Sequence, residues 1–141
     1  MEPASINRRP ARFDKPLPQN LEAEKAVLGA ILLDNAALKP ALEIVNAYDF
    51  FHPSDGDVSL NGRIFLAMQA LATKKAPIDL WTVTEQMKLT DGVSVAYVQT
   101  IADGLPKATN VKTYADIVRE KSLRRAMIHK GHELETRAWE S

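Results

Sequence analysis

His129 and His132 stand three residues apart with Glu133 and Glu135 close behind, a spacing that puts two imidazoles on one face of a helix. A metal centre built on such a pair needs a third ligand and neighbours that orient the rings. Nothing specific nearby supplies them, so the pair reads as solvated histidines in a charged helix end. Glu22 and Glu24 resemble an acid/base pair. Both, however, follow Asn20, a good N-cap, and read better as first-turn carboxylates facing the positive end of a helix dipole. His52 lies beside Pro53 and reads as a loop residue, and no serine stands in a nucleophile elbow. None of the six glycines opens a Gly-x-x-x-x-Gly-Lys-Ser/Thr or Gly-x-Gly-x-x-Gly phosphate loop. Cysteine is absent, which excludes thiol catalysis, a disulfide scaffold and a thiolate zinc site, and suits a reducing compartment. The expectation is a chain with no catalytic, cofactor-binding or metal-binding residues of its own.

Arg119, Lys121, Arg124 and Arg125 form the one dense basic band. Such a band can meet nucleic-acid phosphates or an acidic surface on another subunit; merely solvated, it contributes little. The 141 residues carry 18 basic and 18 acidic side chains, but unevenly. Residues 1–16 hold four basic and two acidic groups, 17–106 six and eleven, and 107–141 eight and five. An acidic body between basic ends is unlike a dedicated nucleic-acid module, whose positive charge gathers on the folded face. Pro77 to Thr84 can be tried as the first half of a helix-turn-helix, but no Arg/Lys-bearing recognition helix follows.

The elements that carry these residues read as helices throughout, because alternating strand patterns are missing. Residues 1–17, with three prolines and scattered arginines, read as a flexible arm. A first helix starts after Asn20, presents Leu21, Val27, Leu28, Ile31 and Leu32, and ends at Asp34-Asn35. The second spans about 38–47 with Pro40 in its first turn, and a loop covers about 52–58. The third spans about 60–73, presenting Ile64, Phe65, Met68, Leu71 and Ala72, until Lys74-Lys75-Ala76-Pro77 breaks it. Asp79 caps a fourth reaching Lys88, with Leu80, Val83 and Met87 inward. A fifth covers about 94–102, with Gly104 as a left-handed C-cap.

From the N-cap Asn110, helix-forming residues run without proline to about Trp139. Thirty helical residues extend ~45 Å, against a diameter of ~30 Å for a ninety-residue body, so this helix overhangs the domain. Its apolar stripe changes face: Val111, Tyr114 and Val118 cluster on one side, Leu123, Met127, Leu134 and Ala138 on another. Two stripes imply two partners. Gly131 marks a possible bend. The chain stops at Glu140-Ser141 without a helix stop signal, as expected of a piece of a longer polypeptide.

Pro18-Gln-Asn-Leu-Glu-Ala-Glu-Lys-Ala-Val-Leu-Gly29 resembles the opening signature of the N-terminal domain of bacterial replicative DNA helicases of the DnaB type. Further landmarks of that family follow in order: Asp49-Phe50-Phe51, Ile64-Phe65, Pro77-Ile78-Asp79, Pro106, Asn110, Tyr114 to Val118, and Arg119-Glu-Lys-Ser. Two stretches depart from the pattern: 54–62 looks longer than usual, and 87–97 shorter and without paired glycines. The resemblance implies an all-α fold, a compact orthogonal bundle of about six helices with a long projecting C-terminal helix, the first arm of a helical hairpin. The arm at 1–17, the body at 18–109 and the helix at 110–141 are its expected divisions, with a RecA-like ATPase domain absent from this chain. Glu24, Gly29, Asp49, Phe50, Ile78, Asp79, Asn110, Tyr114 and Val118 carry the signature and are expected to be structural. Arg119, Lys121, Leu123, Arg124, Met127, Ile128 and Leu134 are expected to face a partner.

The implied function is a non-catalytic assembly and docking domain that organises a hexamer collar and contacts primase and a helicase loader. It needs no cofactor itself; ATP and magnesium belong to the separate ATPase domain, which also holds single-stranded DNA. No apolar run reaches the ~18–20 residues of a membrane span, and a bacterial cytoplasmic location is expected. The alternative is a small nucleic-acid-binding domain using the band at 119–125 and the basic arm.

Overall fold

Asn20 starts the first helix as its type demands, its side-chain oxygen accepting the Ala23 N–H at 2.9 Å. The computed structural model describes residues 16–53, 57–88, 95–104 and 110–140. Among these, six α-helices occur and no strand: α1 Leu21–Leu33, α2 Leu38–Leu42, α3 Leu60–Thr73, α4 Leu80–Lys88, α5 Val95–Asp103 and α6 Val111–Glu140. Two 3-10 turns, Asn35–Ala37 and Ala47–Asp49, flank α2. Of the arm expected at 1–17, residues 1–15 lie outside the described residues, as do 54–56 of the loop and 89–94 between α4 and α5.

One core forms where α1, α3, α4, α5 and the first half of α6 converge. Leu28, Ile31, Ile64, Phe65, Met68, Val83, Met87, Val98 and Ile101 are fully buried there, and Val111, Ala115 and Val118 close it from α6. Phe50 and Phe65 meet as tilted rings with centroids 5.3 Å apart, a geometry that aromatic quadrupoles favour. Asp79 and Thr82 cap α4 reciprocally, each side chain bonding the other's backbone N–H at 2.8–2.9 Å. Asn35 reaches across the fold to hold both backbone groups of Ile78, at 2.8 and 2.9 Å. That fixes the entry to α4.

Four expectations need correction. Leu21, expected in the apolar stripe of the first helix, is 43% exposed at its first position. The second helix ends at Leu42 rather than near Ala47. The Glu43 and Ile44 N–H groups drop to the carbonyls three residues back, Pro40 and Ala41, and this tightening lets Val45 and Ala47 turn into the core. Ala72, expected inward, faces solvent. Gly104 does not adopt a left-handed conformation; its N–H donates to the Thr100 carbonyl at 3.1 Å, one more helical step.

The left-handed cap sits instead at Lys75, with φ 59°. The Ala76 N–H bonds the Leu71 carbonyl and the Lys75 N–H that of Ala72, which is the Schellman arrangement that glycine normally occupies. A Cβ in this region costs roughly 1–2 kcal/mol, partly offset by the greater unfolded-state freedom of glycine. Lys75→Gly therefore raises stability by about 0.5–1 kcal/mol, read as a higher midpoint in urea; an unchanged or lower midpoint contradicts the strain.

Candidate interaction surface on the long helix

The 3-10 turn Ala47–Asp49 is the point to which the long helix is fastened. Asn46 builds it by accepting the Tyr48 N–H at 2.8 Å, while the Asp49 Oδ2 accepts the Asn46 N–H at 2.7 Å. On one side the turn lies against α3 at Gly62, where a Cβ would overlap the Ala47 carbonyl oxygen and crowd Val58 Cγ1 at 2.8 Å. On the other side it meets α6. The Asp49 Oδ1 accepts from Arg119 Nη1 at 2.9 Å and from Ser122 Oγ at 2.7 Å. Asp49 is itself buried, so these charge-assisted bonds are what compensate its desolvation.

Arg125, one turn further on, is buried at 8% exposure. Its guanidinium donates to the Asp49 carbonyl at 2.6 Å and to the Pro18 carbonyl at 2.8 Å, and it lies 5.4 Å from the Phe51 ring centroid, within cation–π range. It thus ties Pro18, the turn and α6 together. Beneath it sits Glu24, also buried at 2%. The Glu24 carboxylate accepts the Phe51 N–H and an Asn61 amide hydrogen, both at 2.9 Å, and Asn61 in turn accepts from the Tyr97 hydroxyl. Burial raises the pKa of Glu24 above its ordinary value; the bonds from Asn61 and Phe51 and the nearby Arg125 charge oppose the shift without cancelling it. Burial and the Glu24 charge likewise raise Tyr97. Glu24 stands in the first turn as expected, but its carboxylate also turns inward and, through Asn61, links α1, α3 and α5.

Beyond Arg125 the helix runs on through Gly131 to Glu140 without a break. From Leu123 onward its apolar side chains stand out to solvent: Leu123 is 48% exposed, Met127 72%, Ile128 40% and Leu134 64%. Half of α6 is thus bound to the body, and the other half presents an apolar stripe with no cover among the described residues. The basic band is not a single unit. Arg119 pairs with Asp49 of its own chain at 2.9 Å while its side chain stays 43% exposed, Arg125 is internal, and Arg124 pairs with Glu120 at 3.1 Å along the helix.

The signature residues lie in the body or at the helix ends that frame it. Gly29, Phe50, Ile78 and Val118 are buried, and Tyr114 is half-buried against the core. Asp79 and Asn110 are N-caps; the Asn110 side-chain oxygen accepts the Lys112 N–H at 3.1 Å. No group of three or more His, Cys, Asp or Glu that could hold a metal ion gathers among the described residues. No helix there is long and apolar enough to cross a membrane. Sequence reasoning missed the inward roles of Glu24 and Arg125. Both follow helical spacing: Glu24 precedes Val27, Leu28 and Ile31, and Arg125 continues the line Val111, Ala115, Val118, Ser122.

Residues 16–120 match the family described as DnaB-like helicase N terminal domain. The chain is 43% identical over 115 residues to the replicative DNA helicase DnaB of Geobacillus stearothermophilus, covering 79% of this chain and 24% of that protein. Against the replicative DNA helicase DnaC of Bacillus subtilis strain 168 it is 40% identical over 119 residues, covering 82% and 25%. The chain spans about a quarter of the length of these relatives. The fold is similar to the crystal structure of the N-terminal domain of DnaB helicase from Mycobacterium tuberculosis, with a TM-score of 0.77, 29% identity and coverage of 88% of this chain and 85% of that one. The corresponding Helicobacter pylori domain gives a TM-score of 0.69 at 19% identity over 82% and 89%, a likeness of fold alone. By sequence along most of its length and by the arrangement of its helices, this chain belongs to the family of DnaB-like helicase N-terminal domains.

Proposed function

We propose that the chain is a non-catalytic assembly and partner-docking module of a replicative DNA helicase. The observation that carries this reading is the uncovered stripe Leu123, Met127, Ile128 and Leu134 on a helix whose first half is locked to the body. A fixed base and an apolar end favour pairing with a second copy, and the pairs then serve as units of a hexamer collar. The stripe of half a helix falls short of the ~800 Å² per partner of a standard stable interface, so this segment by itself pairs weakly. Primase and a loader are the proposed partners of the assembled collar; the solved Helicobacter pylori domain is described together with its interactions with primase. ATP hydrolysis, with its magnesium, and the hold on single-stranded DNA are assigned to a separate RecA-like domain of the parent protein, in the bacterial cytoplasm.

Met127→Asp combined with Leu134→Asp tests this reading. Two carboxylates on the stripe weaken self-association at least about tenfold, since each costs the desolvation of a charge at an apolar contact. The far-ultraviolet circular dichroism and the melting midpoint stay unchanged, because neither side chain touches the core. A double variant that unfolds, or one that associates as before, contradicts it.

A further inference from the structure

Sulfur chemistry in this chain falls on methionine, because the sequence holds no cysteine. Two of the methionines among the described residues are sealed in the core: Met68 is 0% exposed and Met87 1%. Met127 is 72% exposed. A thioether sulfur is a soft nucleophile that reacts with peroxides where the oxidant can reach it. Solvent access thus singles out one position.

That position is the middle of the apolar stripe on α6. Leu123 lies one helical turn before Met127 and Leu134 two turns after it, on the same side of the helix. The turn between Met127 and Leu134 is occupied by Gly131, which has no side chain, and a Cβ built there would meet nothing within 4 Å. Any apolar contact at the centre of this side therefore rests on one thioether. The core does not depend on it, since Met127 has no place in the buried cluster.

We propose that Met127 is a modification site at which oxidation by a hydroperoxide turns the α6 stripe polar and blocks its pairing with a second copy. The sulfur lone pair attacks the peroxide O–O bond. An S–O bond forms, the O–O bond breaks and hydrogen peroxide leaves as water, so sulfur loses the two electrons that the peroxide gains. The sulfoxide oxygen is a strong hydrogen-bond acceptor, and an apolar contact offers it no donor. Pairing covers the same sulfur, so oxidation and pairing exclude each other. The effect on pairing rests on the self-association proposed above; the selectivity of the oxidation does not.

The test treats micromolar chain with hydrogen peroxide at neutral pH and follows the products by peptide mass mapping. The peptide bearing Met127 gains one oxygen at least about tenfold faster than those bearing Met68 and Met87, while the melting midpoint holds. Light scattering up to millimolar chain then shows the sulfoxide form pairing about tenfold more weakly than untreated chain. Methionine sulfoxide reductases supplied with a thiol restore the pairing. Met127→Leu, whatever its own strength of pairing, keeps it through the same treatment. Oxidation of Met127 no faster than that of Met68 or Met87 overturns the proposal. So does unchanged pairing of the oxidised chain, or loss of pairing by peroxide-treated Met127→Leu. Untreated chain that stays a single particle at millimolar concentration overturns the pairing reading itself, and the switch with it, before any peroxide is added.

Discussion

Asp49→Ala lowers stability by about 2–4 kcal/mol, a fall of roughly 10 °C in melting midpoint for a domain of this size. The carboxylate answers three donors at once: Arg119, Ser122 and the Asn46 N–H. Its loss leaves the Asn46 N–H without an acceptor, opens the 3-10 turn and frees the Arg119 guanidinium. Arg119 is 43% exposed and recovers water, so the ionic part of the loss is modest; the part-buried bonds from the Asn46 N–H and the Ser122 hydroxyl carry most of it. Asp49→Asn recovers little, because either orientation of the amide sets an N–H against a donor. If Asp49→Ala melts as the unaltered chain does, α6 is held by apolar contact alone and the clamp is not what fixes it.

The second large effect lies at Glu24. Glu24→Ala costs about 2–3 kcal/mol, since the Phe51 N–H and the Asn61 amide are each left unpaired in a buried place. Glu24→Gln behaves differently. The new amide accepts from Phe51 and donates to Asn61 once the Asn61 amide has flipped, and the Tyr97 oxygen then accepts in its turn. Glu24→Gln also removes a pH term. With a folded pKa raised above 4.5, the folded state holds the proton more tightly than the unfolded state. The Glu24 contribution is therefore complete below 4.5 and is lost as pH rises through the folded value. Chemical denaturation from pH 4.5 to 7.5 should show the unaltered chain losing stability relative to Glu24→Gln as pH rises. Parallel curves would mean the carboxylate is solvated.

Local signals carried much of this fold. Asn20, Asp79 and Asn110 cap the helices they should, α3 begins and ends where periodicity and its breaker place it, and α6 begins at its cap. What stayed hidden was the inward turn of charged residues. Glu24 and Arg125 were read by type, as dipole partner and basic band, because acids and arginines usually face water. Their partners are backbone groups and side chains far along the chain: Phe51 is 27 residues from Glu24, Asn61 is 37, and the Asp49 carbonyl is 76 from Arg125. No local pattern announces such contacts. Gly104 misled for a related reason: a glycine near a helix end signals a left-handed cap, yet the strained cap fell on Lys75. The exposed stripe was legible because it is a matter of periodicity alone.

On the proposed reading, α6 is anchored by its first half and offers its second to a sister chain. The weight-average mass from static light scattering, followed from micromolar to millimolar chain, tests it most directly. The mass should climb from 15.6 kDa toward twice that value as concentration rises. A mass that stays at 15.6 kDa throughout would contradict it.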